Sequence, residues 1–252
     1  MRNLTAAMAV VLLTAAGTAS AAEINAMVTT AMKAALDELV PQFEHRSAHK
    51  VHVTYGPSGG LARRLRSGEK ADFILIAAPE LDKLMQQDKV LPGSTEINRT
   101  GIGIAVRKGA PRPDVSTPEA LKRALLAAKS VGHTAPAGGS VTAMPLLKMF
   151  EKLGIASEVA AKTKLAAGGP NGRVSVLVSS GEAEIGMQQV SELMSNPDVD
   201  VVGLLPDALQ QITVHRAAVT VDAKEPDPAR ALISFLESPD AMAIYKKKGL
   251  GL

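Results

Sequence analysis

Two stretches of this chain share a pattern whose residue types suit the binding of an anion. Gly56-Pro57-Ser58-Gly59 is followed, after seven residues, by Ser67-Gly68-Glu69. Gly169-Pro170-Asn171-Gly172 is followed, after the same interval, by Ser180-Gly181-Glu182. Ser or Asn after a Gly-Pro turn is suited to capping a helix, because its side-chain oxygen accepts an otherwise unpaired backbone N–H. The seven residues between make about two turns, and the glycine that follows ends them by turning left-handed at little cost. Each copy therefore predicts a loop, a capped helix, a stop and an apolar strand. Helix starts present free N–H groups and the positive end of a dipole. Two of them facing one cleft would hold a small anion.

Four helix starts carry such donors: Thr29-Thr30, Pro57-Ser58-Gly59, Gly139-Ser140-Val141-Thr142 and Pro170-Asn171-Gly172. In open α/β sheets ligands sit beyond the carboxyl ends of the strands, where these starts fall. The candidate ligand residues are thus Thr29, Thr30, Ser58, Gly59, Gly139, Ser140 and Asn171. Arg173 follows the second copy and could reach a carboxylate with its planar fork. Arg63, Arg64 and Arg66 read as a solvated helix face.

Other chemistries lack their residues. The five histidines stand in no metal-binding spacing, so no metal site is expected. There is no G-x-S-x-G and no P-loop, and Gly101 to Val106 carries only the start of a dinucleotide motif, so no cofactor is expected. If the chain is an enzyme, His133 at a strand end or His215 in a long strand is the candidate for proton transfer.

The elements that must position these residues alternate between strand and helix. Val51 to Tyr55, Phe73 to Ala77, Ile102 to Val106, Val131 to Thr134, Val199 to Leu204 and Ile212 to Val221 read as strands. Met32, Leu36, Leu39, Val40 and Phe43 recur at helical spacing, with a kink or a join between elements expected at Pro41. Thr117-Pro118, Asp227-Pro228 and Ser238-Pro239 read as helix starts. This alternation predicts an α/β fold with parallel-rich sheets and helices on both faces. The expected division is a lobe of residues 22–103 plus 215–252 and a second of 104–214. Gly101 to Lys108 and Ile212 to Val221 would be the crossover strands.

Composition narrows the partners. Cysteine is absent, which excludes disulfides and thiolate metal sites. A net charge of +3, without a basic run interleaved with aromatics, gives no reason to expect nucleic acid. Four Phe, two Tyr and no Trp leave little to stack on a sugar or cage a quaternary amine. Residues 1–21 read as a signal peptide: Arg2, the short apolar run Ala6 to Ala16, and an A-x-A-like cleavage site at Ala19-Ser20-Ala21. The mature chain would start near Ala22, in the periplasm.

Several segments together resemble the molybdate-binding periplasmic proteins of ABC importers. They are Thr29-Thr30, YGPSGGLARRLRSGEKADF, SSGEAEIG and the ending SPDAMAIYKKKGL. The resemblance implies a two-lobed type II periplasmic binding fold that closes on an oxyanion, a monomer, and a membrane permease as partner. It places first-loop hydroxyls at Thr29 or Thr30, another at Ser58, and backbone donors near Gly139 and Ser140. Gln189 falls where many molybdate binders have tyrosine, and Ile76-Ala77 where they have a serine. The run Gln188, Gln189, Ser191, Glu192, Leu193 is instead similar to that of periplasmic aconitate isomerases. Two readings result: a solute receptor for a small anion, favoured here, and an aconitate isomerase using the same cleft.

Overall fold

A computed structural model describes residues 21–170 and 172–251 as two mixed sheets wrapped by helices. The first sheet joins β1 (Glu23–Thr29), β2 (Lys50–Gly56), β3 (Phe73–Ala77), β4 (Thr95–Thr100) and β10 (Thr213–Val219), in the order β2-β1-β3-β10-β4. The second joins β5 (Ile102–Arg107), β6 (Val131–Thr134), β7 (Thr163–Ala166), β8 (Ile185–Gln189) and β9 (Val199–Leu204), in the order β7-β6-β8-β5-β9. The two orders correspond: β1 matches β6, β2 matches β7, and β3 matches β8. The two copies of the sequence repeat follow β2 and β7, at equivalent places.

Each sheet is half parallel rather than parallel-rich. β1 pairs in parallel with β2 and β3, and β6 with β7 and β8. The remaining pairings, through β10 and β5, are antiparallel. The reason is the path of the chain. It leaves the first sheet at Thr100 and enters the second at Ile102, then returns between Leu204 and Thr213. The strand that arrives in each sheet runs against its neighbours.

Side-chain alternation builds a core on both faces of the first sheet. Ile24, Ala26 and Val28 of β1 pack with Phe73 and Leu75 of β3 against α1 (Lys33–Ser47), α9 (Pro226–Leu236) and α10 (Pro239–Lys247). Met27, Ile74 and Ile76 point the other way, onto α2 (Ser58–Arg66) and α3 (Ala78–Met85). This explains why β3 reads as an unbroken apolar run. The second sheet repeats the plan. Ile102, Ile104 and Val106 face α4 (Pro118–Ala127) and α5 (Ala143–Lys152), near the short α6 (Ala156–Ala160). Ala105 faces α7 (Val174–Ser180) and α8 (Val190–Met194). Each fully buried leucine, such as Leu36 or Leu121, contributes about 2 kcal/mol of transfer free energy.

Helix boundaries follow local chemistry, with three departures from the sequence reading. Thr117 caps α4 and Ser238 caps α10, each accepting an N–H from three residues on. Gly68 and Gly181 stop the repeat helices at φ of 94° and 84°. Asp227, however, lies inside α9, because Pro226 already takes the first helical position. α1 continues past Pro41, which is exposed, so water can serve the carbonyl that proline leaves free. Ser58 is the first residue of α2 and not its cap.

Candidate ligand cleft

The loops at the carboxyl ends of β1, β2, β6, β7 and β8 converge on one narrow cleft between the sheets. From the first lobe it is lined by Thr29, Thr30, Pro57 and Ser58. From the second come Thr134, Ser140 and Val141, with Gly168 and Gly169, and then Gln188, Gln189 and Glu192. Its free volume is about 20 Å³, room for roughly one water. The lobes are thus closed on each other.

On the first wall, Ser58 ties the strand ends together. Its hydroxyl donates to Thr29 Oγ1 at 3.1 Å and accepts the Ala77 N–H at 3.1 Å. Ser58 accepts from β3 and donates to Thr29, and the cap position of α2 is taken by Pro57. With its oxygen accepting from Ser58, Thr29 keeps its own proton to donate. The hydroxyl of Thr30 is buried and has no hydrogen-bond partner.

On the second wall, three hydroxyls form a triangle. Thr134 Oγ1 donates to Ser140 Oγ at 2.7 Å, and Thr142 Oγ1 lies 3.2 Å and 3.0 Å from the two. Where the lobes touch, the Gly59 N–H donates to the Gly139 carbonyl at 3.0 Å. Gly139 sits at φ 81°, and a Cβ there would come within 2.6 Å of the Gly60 nitrogen. Arg63 adds a long contact to the Ala137 carbonyl at 3.5 Å.

The floor comes from β8 and α8. Gln188 Oε1 accepts the Val174 N–H at 2.9 Å and so caps α7 from a neighbouring strand. Gln189 turns its amide to His215, with Nε2 atoms 3.4 Å apart. Glu192, in the first turn of α8, is only 8 % exposed. Burial pushes its carboxyl up to about 7, while the Arg173 guanidinium and the Gln188 amide pull the other way. A buried carboxyl whose proton affinity lies near neutral pH can give or take a proton in this cleft.

The bacterial extracellular solute-binding protein family matches residues 24–251. The chain belongs to this family. Among its relatives is an aconitate isomerase of Pseudomonas sp, 34 % identical over 219 residues, covering 84 % of this chain and 81 % of the relative. Molybdate-binding protein ModA of Azotobacter vinelandii is 26 % identical over 245 residues, covering 93 % and 92 %. The solved periplasmic molybdate-binding protein of A. vinelandii superposes with a TM-score of 0.74 at 20 % identity, covering 91 % of this chain and 99 % of that one. Its likeness establishes the two-lobed periplasmic binding fold.

Within this solute-binding protein, the residues singled out from sequence fall into different places. Thr29, Thr30, Ser58, Ser140 and Gln189 line the cleft. Gly59 and Gly139 do not, since they bond each other where the lobes meet. Asn171 lies outside the described residues. Arg173 precedes α7 and donates to Ser195 Oγ, and its Nε is buried without a partner. It reaches the cleft only through its field on Glu192. Among the described residues no cluster of His, Asp and Glu could hold a metal ion.

Neither histidine lines the cleft. His133 is turned to the opposite side of β6, its ring 5.8 Å from that of Phe150 and its Nδ1–H donating to the Thr134 carbonyl. Burial lowers its pKa. His215 lies behind Gln189, and burial lowers its pKa to about 4. Sequence reasoning did not single out Thr134 and Glu192, which line the cleft. Thr134 was legible as the last residue of a strand that ends at the loop carrying Gly139 and Ser140. Glu192 was legible only as part of the Gln-Gln, Ser-Glu-Leu run.

Proposed function

We propose that this protein binds a small organic polycarboxylate in the cleft and interconverts cis- and trans-aconitate. The observation that carries this reading is Glu192, a buried carboxyl on the cleft whose proton affinity is tuned to neutral pH. In its ionised form Glu192 takes a proton from the methylene of aconitate, and the electron pair moves into the allylic system toward the neighbouring carboxylate. The double bond shifts, and Glu192 returns the proton to the other end of that system. No redox partner is needed, and one group serves as both base and acid. The 34 % identity to an aconitate isomerase supports this choice over molybdate.

The other parts have matching roles. Hydroxyls of Thr29, Thr30 and Ser140 bind carboxylate oxygens, and Gln189 adds an amide. Arg173 offsets negative charge near Glu192. The two lobes part to admit the ligand and close to exclude water. Residues 1–21 direct export to the periplasm, where the protein acts as a monomer.

A second reading is a receptor that delivers an oxyanion to an ABC permease. The observation favouring it is that neutral hydroxyls stand on both walls of the cleft. One pair of measurements separates the two. Ultraviolet spectroscopy follows conversion of cis- and trans-aconitate, and calorimetry follows binding of aconitate, citrate, molybdate, tungstate and sulfate. Conversion supports the isomerase. Binding of molybdate without conversion of aconitate supports the receptor. Neither heat nor conversion with any of them would sink both.

A further inference from the structure

We propose that His215 is a positioning residue, which holds the amide of Gln189 in one orientation toward the ligand. The inference rests on the cleft being the ligand site, as proposed above. Gln189 closes β8 in the second lobe and lines the cleft. His215 and Asn98 lie opposite each other in β10 and β4 of the first lobe. All three side chains are buried.

The hydrogen bonds leave one arrangement. The Asn98 amide nitrogen is turned to Met32 Sδ, so its Oδ1 is the atom facing His215. At 3.0 Å, that oxygen requires a proton on His215 Nδ1. A neutral ring carries only one, so Nε2 is an acceptor. Burial alone keeps the ring neutral, and its strand neighbours at this level, Ala77 and Asn98, carry no charge. Nε2 accepts only from the N–H side of Gln189. A flipped amide would set Oε1 against the ring lone pair. The Gln189 carbonyl is thereby turned away from His215, and its second N–H is left to donate to a bound carboxylate. The bond also spans the lobes, so the amide is oriented as they close.

Two substitutions divide the ring into its halves. His215→Gln keeps an acceptor near the Nε2 position, whereas His215→Asn keeps the bond to Asn98 and loses the one to Gln189. Calorimetry with trans-aconitate should show affinity within about twofold of wild type for His215→Gln, and about tenfold weaker for His215→Asn. Equal losses in both, or no loss in His215→Asn, would overturn the proposal. Nitrogen-15 NMR of the wild-type imidazole supplies a test that needs no ligand and no variant. A neutral Nδ1–H tautomer between pH 5.5 and 8 is expected, and an Nε2–H tautomer would refute the idea. Should wild type bind no aconitate at all, the proposed function fails while the tautomer still decides this inference.

Discussion

Gly59 donates its backbone N–H to the carbonyl of Gly139 at 3.0 Å, which bonds the tip of the first repeat to the facing lobe. Both glycines seemed from sequence to be ligand donors. Instead they form the seam that closes the cleft. The approach is so tight that a Cβ at either position meets backbone, at 3.0 Å for residue 59 and 2.6 Å for residue 139.

Gly139→Ala should therefore impair closure more than folding. The left-handed backbone alone costs an alanine about 1–2 kcal/mol, which urea unfolding would register. Ligand affinity should fall at least tenfold, to be read by calorimetry. Small-angle scattering with saturating ligand should show a larger radius of gyration than wild type. A variant that closes and binds normally contradicts the seam.

Glu192→Gln tests the proton-transfer role. The amide keeps the shape of the carboxyl but neither takes nor gives the proton. The isomerisation rate, followed in the ultraviolet, should drop by about 10²–10⁴-fold. Affinity for trans-aconitate should be kept or improved, since a negative charge is lost from an anion cleft. Retained turnover would remove Glu192 from the mechanism.

The same carboxyl makes stability depend on pH. Its folded value is raised to about 7 from 4.5, so between these the folded protein holds a proton the unfolded chain has released. Stability present below pH 4.5 is lost as pH rises through 7, by about 3 kcal/mol at 1.36 kcal/mol per unit. His215 acts oppositely. Its folded value is lowered to about 4 from 6.5, so its contribution is intact above 6.5 and lost as pH falls through 4. Urea unfolding at pH 5, 6 and 7.5 should show Glu192→Gln gaining on wild type as pH rises. A constant difference would refute the assignment.

Thr30→Val separates binding from stability. The threonine hydroxyl is buried without a partner, and valine has nearly the same shape. Thermal unfolding should be unchanged or slightly raised, because an unsatisfied polar group is removed. Affinity for the anion should fall about tenfold. Loss of stability without loss of affinity would show that the hydroxyl serves the fold.

Much of the architecture was legible because its signals are local. The run Phe73 to Ala77 announces a strand covered on both faces, and Gly68 and Gly181 mark where the repeat helices stop. The site was legible only in part. Thr29, Thr30, Ser58, Ser140 and Gln189, expected from loop chemistry and resemblance, line the cleft. Ser58 was misread as a cap, because nothing local reveals that its oxygen accepts the Ala77 N–H while its proton goes to Thr29. His133 and His215 were the natural candidates for proton transfer, since histidine titrates near neutrality without help. Glu192 needs burial to do so, and burial is not a local property.

The sequence by itself determined the strand and helix alternation, the paired Gly-Pro turns and the supply of neutral donors. Periodicity, capping and backbone freedom depend on residues a few positions apart, so they can be read along the chain. The tertiary structure alone decided what each donor does. It brought Gly59 to Gly139 across the lobes, put Gln189 against His215, and buried Glu192 on the cleft. The repeated turn thus stands at equivalent places in the two lobes, yet Gly59 of the first copy bonds across the cleft and the buried Glu192 lies outside the repeat.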